Sequence, residues 1–224
     1  LLIDHAWGWE PCTIAAIKTY RPKSSSLSSG QVLPEPYPHE KARLIVREMA
    51  DQLSLELVEK GLVCSQFVLD IGYDAENLSA PAQQRSYHGL TKTDRYGRAV
   101  PAAAHGSVNL PVPASSARIL MQAAAEVFDR IADSRLSVRR VTVTAAGLLR
   151  QEEAQLVGGD QLDFFGNYAA HQQQKAELER ELSGQQAIVA LRRKYGKNVV
   201  LRGMDLQEGA TTKGRNGQIG GHKA

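Results

Sequence analysis

Five serines fall between residues 24 and 29, and Arg139, Arg140, Thr142 and Thr144 cluster a hundred residues later. These are the groups in the chain whose types and spacing best suit a chemical task. The task is binding. Small hydroxyls, backbone N–H groups and guanidinium groups are what proteins present to a sugar-phosphate backbone. A Ser-rich run by itself reads as a flexible linker, and only the alternating segments around it argue for a strand. Catalytic constellations do not emerge. Asp70 and Asp74 lie close in sequence but bound a strand end, which is no setting for a two-metal site. His5, His39, His88, His105, His171 and His222 show no ligand-pair spacing. Cys12 and Cys64 form no CxxC, so neither zinc nor a disulfide framework is expected. Gly214, Gly217, Gly220 and Gly221 do not make a dinucleotide loop after a strand.

The 224 residues suffice for one large domain or a domain with an appendage. Hydrophobic content of 42% and charged content of 23% are those of an ordinary globular protein. No apolar run approaches the ~20 residues that span a bilayer, so no membrane partner is expected. Cysteine usage fits a reducing cytoplasm. The net charge of +3 is uninformative, but its distribution is not. Residues 192–202 carry five basic groups and no acid, and residues 83–101 carry Arg85, Lys92, Arg95 and Arg98 against Asp94.

The positioning elements follow from periodicity. Residues 24–33 read as a strand closed by a stiff turn at Pro34, Pro36 and Pro38. Ile45, Met49, Leu53 and Leu57 recur at helical spacing over 39–60, with Gly61 as the stop. Residues 62–73 alternate as a strand, with Val63, Phe67, Leu69, Ile71 and Tyr73 on one face and Cys64, Gln66, Val68 and Asp70 on the other. Residues 74–104 read as a long mobile hairpin or insertion. In 105–112, Val108, Leu110 and Val112 face inward and His105, Ser107 and Asn109 outward. Ser115 or Ser116 caps a helix to about Asp133, striped by Leu120, Ala124, Val127, Phe128 and Ile131. Residues 136–145 form the last strand, with Val141 and Val143 opposite Arg140, Thr142 and Thr144. The result is an α+β fold, β-α-β-β-α-β, with two helices on one face of a four-stranded sheet. The open face displays Ser26 and Ser28, or Ser25 and Ser29 in the alternative register, with Gln66, His105, Ser107, Asn109, Arg140, Thr142 and Thr144. It lacks the aromatic platform on which single-stranded RNA stacks, so a duplex backbone suits it better.

At this point the chain resembles the little-finger domain of bacterial Y-family translesion DNA polymerases of the UmuC/DinB-like group. The resemblance rests on PKSSSLSSGQVL, on HEKARLIVREMADQLSLELVEKGLVCSQFVLDIGYD and on SRLSVRRVTVTAAGL. It implies that the first and last strands lie along primer-template DNA, with Ser26, Ser28, Ser29, His105, Ser107, Arg139, Arg140, Thr142 and Thr144 as contacts. Residues 1–20 resemble the end of that family's thumb, and KYGKNVVLRGMDLQEGATTKGRNGQIGGHKA the tail of one subgroup. The palm carboxylates, and the magnesium they hold, are expected upstream, so this chain alone should not polymerise DNA and should need no cofactor. The competing reading is a free-standing ferredoxin-like module for RNA or a protein.

Two segments remain. Residues 151–170 read as a linker, and Gln161, Leu162, Asp163, Phe164 and Phe165 within it resemble the pentapeptide that docks bacterial polymerases on the sliding clamp. Phe164 stands where Leu is usual. The alternative is that Leu162, Phe164 and Phe165 pack on residues 186–201. Residues 171–224 read as a helical extension and tail. The helix is polar nearly all round and weakened at Gly184, and its basic end, Arg192 to Lys197, reads as a solvated face, with contact to DNA as the alternative.

Overall fold

The structure, a computed structural model, describes residues 7–8, 13–19, 25–79, 87–157, 168–219 and 222–223. In chain order its main elements are α1 (Ile14–Thr19), β1 (Ser26–Tyr37), α2 (His39–Lys60), β2 (Leu62–Tyr73), β3 (Thr91–Thr93), β4 (Ala99–Pro101), β5 (Ala104–Ala114), α3 (Ala117–Ile131), β6 (Val138–Arg150), α4 (Gln151–Val157), α5 (Tyr168–Tyr195) and α6 (Thr212–Arg215). The four long strands form one antiparallel sheet ordered β1-β6-β2-β5. The expected β-α-β-β-α-β order is the one observed.

The two helices cover one face because each has an apolar stripe to bury. Ile45, Met49, Leu53 and Leu57 of α2 and Leu120, Ala124, Val127 and Phe128 of α3 are at most 1% exposed. They meet Phe67, Leu69, Ile71, Val141, Val143 and Ala145 of the sheet, which are fully buried. Each large side chain contributes ~1.5–3 kcal/mol on burial. Ser116 is the cap of α3, its hydroxyl accepting from the Ile119 N–H at 3.2 Å. Gly61 ends α2 at φ 64°, a left-handed geometry glycine adopts without strain. At Gly106 a Cβ would stand 2.7 Å from Ile131 Cγ2, so α3 presses directly on the β5 backbone.

Several local expectations fail, each for a visible reason. Pro34 and Pro36 extend β1 to Tyr37 instead of turning it. They are tolerated because β1 is an edge strand, and pairing skips from Val32 to Tyr37. Pro111 and Pro113 do the same on the opposite edge, where a register shift leaves Val112 41% exposed instead of inward. Cys64, expected beside Gln66 on the open face, is buried in the core, and burial pushes its thiol up to about 12. Residues 74–104 are not wholly unanchored. Asp74 caps a 3-10 turn, Ala75–Leu78, and Asn77 exchanges hydrogen bonds with the Ser137 backbone at 2.8 and 2.9 Å. Beyond it, β3 and β4 pair as a hairpin, one of the two forms expected for this stretch.

The largest departure is the C-terminal extension. The helix expected to be solvated, α5, runs through Gly184 without a break, docks on α2 and reaches the N-terminus of α3. The Glu181 carboxylate accepts from Ser116 Oγ at 2.7 Å and the Arg118 N–H at 3.0 Å. Gln185, 3% exposed, donates to Ser54 Oγ and the Ser115 carbonyl. Arg202 Nε donates to Asp51 Oδ1 at 2.6 Å. Glu48 accepts from the N–H groups of Thr211 and Thr212 at 2.9 and 3.2 Å. Glu48, Asp51 and Ser54 recur every third residue on α2, opposite its apolar stripe, and all are buried. Buried polar groups demand partners, and the extension supplies them. Glu48→Ala leaves two backbone donors unmatched, at a cost of about 1–3 kcal/mol. Amide exchange at Thr211 and Thr212 should accelerate while the sheet amides hold. Unchanged exchange would mean that this carboxylate does not retain the extension.

Candidate nucleic-acid interface

Strand pairing sorts the open face into rows that cross the sheet. Ser28 lies opposite Thr144, Thr144 opposite Val68, and Val68 opposite Ser107. The next row is Gly30, Thr142, Asp70 and His105; Val32, Arg140 and Gly72 lie beyond it, and Ser26, Ala146, Gln66 and Asn109 lie on the far side of the Ser28 row. Side chains bond along these rows. Ser28 Oγ lies 2.7 Å from Thr144 Oγ1, His105 Nδ1 lies 2.7 Å from Asp70 Oδ1, and Gln66 Nε2 donates to Asn109 Oδ1 at 3.1 Å. The face is low in relief as well as polar. A Cβ at Gly30 would stand 3.4 Å from Thr142 Oγ1, and one at Gly72 would press on Arg140 Cβ at 3.1 Å.

The register settles which serines belong there. Ser26 and Ser28 share the face with Thr142 and Thr144. Ser29, named among the contacts expected from the sequence, pairs with buried Val143 and points to the helix side, where Arg215 Nη2 approaches its hydroxyl at 3.4 Å. Seven of the nine expected contact residues, Ser26, Ser28, His105, Ser107, Arg140, Thr142 and Thr144, are thus brought onto one surface.

A family model described as the impB/mucB/samB family C-terminal domain matches residues 24–160. The chain belongs to this family. It is the C-terminal region of UmuC/DinB-like Y-family polymerases, DNA-binding proteins of damage repair. No curated protein gives a significant match to the chain.

Within this family domain the two adjacent arginines are not equivalent. Gly72 pairs with Arg140 and Tyr73 with Val138, so Arg139 is an extra residue bulged out of β6. The bulge lets Val138 and Val141 both face the core and leaves Arg140 on the open face, exposed. Arg139 turns to the strand end, where its Nε stands 3.5 Å from Asp74 Oδ2. Apolar residues at 138, 141, 143 and 145 break period two once, and that break was the available sequence sign of the bulge.

Sequence reasoning did not foresee the acid on this surface as a feature of the site. Asp70 sits beside Thr142 and is covered on one side by His105. It did single out Lys92, Arg95 and Arg98, which the structure places on the β3-β4 hairpin. The Asp94 carboxylate closes the tip, accepting from the Tyr96 and Arg98 N–H groups and from Arg98 Nε at 2.8–2.9 Å. These bonds, from Arg98 first, hold its pKa below the usual carboxylate range. Arg95 and Arg98 stack on exposed Tyr96 with guanidinium carbons 4.7 and 5.2 Å from the ring centre. Arg85 and the pentapeptide 161–165 lie outside the described residues. Among the described residues, no group of three His, Cys, Asp or Glu side chains could hold a metal ion, and no helix is long and apolar enough to cross a membrane.

Arg140→Ala should lower affinity for duplex DNA and reduce the slope of log K against log salt by ~1, the signature of one lost phosphate contact. Arg139→Ala, which removes a group engaged by Asp74, should change the slope by less than half as much. Fluorescence anisotropy between 50 and 200 mM salt, as ~ranges usual for such titrations, reads the difference. Equal slopes for the two variants would contradict the assignment of Arg140 to the face and Arg139 to the fold.

Proposed function

We propose that residues 25–150 grip the backbone of primer-template DNA across the open sheet face, and that residues 161–165 dock the protein on a bacterial sliding clamp. The observation that supports the first part best is the pairing of Ser28 with Thr144, next to Thr142 and Arg140. It assembles hydroxyls and one free guanidinium along adjacent strands, with glycines that let a strand of DNA approach. Among its described residues the face has no Phe, Tyr or Trp on which to stack a base, and its one imidazole, His105, is engaged by Asp70. Binding is therefore through phosphates and independent of sequence. In this reading nucleotide transfer and its magnesium belong to residues outside this chain, and the setting is a bacterial cytoplasm. The chain supplies grip and address.

The clamp reading rests on the residues themselves. Leu162, Phe164 and Phe165 follow Gly158 and Gly159 and lie in the stretch between α4 and α5. Three large apolar side chains in five positions suit a peptide whose anchors leave water in a partner's pocket. Their burial is worth ~1.5–3 kcal/mol each before the cost of ordering the segment, which fits an affinity near the micromolar range.

Two measurements test the proposal. Affinities for two unrelated duplexes should agree within about threefold and fall steeply with salt. Asp70→Asn, which removes the acid from the middle of the face, should tighten both by a similar factor. A sequence-specific footprint, or looser binding by Asp70→Asn, would overturn the grip. Leu162→Ala with Phe165→Ala should abolish binding to the clamp and leave DNA affinity unchanged. Clamp binding equal to wild type would refute docking by this segment and leave the grip standing.

A further inference from the structure

A cavity of about 770 Å³ opens between α2 and the C-terminal extension. Its wall carries an excess of cations. Arg193 is engaged by Glu59 at 3.0 Å and Lys60 by Glu56 at 3.6 Å. Those pairs use the acids that line the cavity, and Arg192, Lys197 and Arg215 remain. Arg192 donates only to neutral acceptors, Gln52 Oε1 at 3.0 Å and the Val200 carbonyl at 2.9 Å. Among the described residues, the long contact with Ser29 is the one hydrogen bond of the Arg215 side chain. Burial lowers the pKa of both guanidinium groups, outweighing the attraction of Asp51 and Asp205 on Arg192 and of Glu48 on Arg215, the mark of cations taken from water without full compensation. Three buried atoms of wall residues, Gln52 Nε2, Arg192 Nε and Thr212 Oγ1, have no hydrogen-bond partner; the two nitrogens are donors and the hydroxyl can donate. A wall of unpaired cations and unmatched donors lacks one kind of group, an oxyanion.

We propose that this cavity binds a free polyphosphate anion, held by Arg192, Lys197 and Arg215. Its volume lies within the ~300–1,000 Å³ usual for small-ligand sites. It is separate from the DNA face. The cavity lies on the outer side of α2, while the open face lies beyond both the helix layer and the sheet, layers that are each about 10 Å apart. None of the cavity's lining residues is among the polar residues of the DNA face, which favours a small phosphorylated molecule over a backbone phosphate. Leu55 and Val189 on the wall give such a molecule an apolar surface beside its charged end.

Calorimetric titration of the full chain with tripolyphosphate provides the test. Wild type should bind with one-to-one stoichiometry. Lys197 is exposed and makes no hydrogen bond or ion pair among the described residues, so Lys197→Glu should leave thermal unfolding unchanged and weaken binding at least about tenfold. Arg215→Gln should weaken it as well. Arg140→Ala, altered on the DNA face, should bind tripolyphosphate as wild type does. With saturating duplex present the titration should be unchanged, as expected for a free anion. Duplex that displaces tripolyphosphate from wild type and from Arg140→Ala alike would overturn the free-anion assignment in favour of a strand phosphate. No measurable binding, or binding that Lys197→Glu leaves intact, would overturn the site altogether.

Discussion

A sheet with one face buried can show only its other face, and the phase of β6 decides which residues that face holds. Val138, Val141, Val143 and Ala145 must all reach the core beneath α2 and α3. The strand accommodates four inward residues at uneven spacing by bulging at Arg139. Arg140, Thr142 and Thr144 are turned outward as a result. Because β6 lies between β1 and β2, its register propagates both ways: it selects Ser26 and Ser28 on one side and Gln66 and Asp70 on the other. The polar surface is thus a by-product of where the valines go.

This explains what could be read from the residues alone. Period-two alternation in β2 and β6 and the spacing of Ile45, Met49, Leu53 and Leu57 are direct consequences of a two-layer core, and they named the elements and most of the face. They could not distinguish Ser28 from Ser29. A strand made mostly of serine has no apolar phase, and its register comes from pairing with β6. Nor could they show that Cys64 goes inward or that Val112 goes outward. Both lie where the pairing of β2 with β5 shifts register, and alternation is lost across a bulge.

The extension was illegible for a different reason. A helix buried on two sides is normally recognised by being apolar all round. Here α2 is buried on its second side through Glu48, Asp51 and Ser54, residue types that read as solvated. Their partners, among them Gln185, Arg202 and the Thr211 and Thr212 amides, lie more than a hundred residues downstream. Hydrogen-bond complementarity over that distance leaves no periodic trace in either segment. The same arrangement turns the end of the chain from a tail into a third layer, and it creates the basic cavity between α2 and the extension.

The two proline pairs have a consequence for life at a crowded site. Each edge of the sheet has Pro-X-Pro at one end, Pro34 and Pro36 on β1, Pro111 and Pro113 on β5, and the two ends are diagonal to each other. Proline has no N–H to offer an incoming strand, and its fixed backbone bends the edge away from one. A second copy aligning along either margin would find its ladder interrupted within a few residues. Several copies held close together, as along one length of DNA, would therefore slide past one another as separate molecules instead of zipping into a continuous sheet.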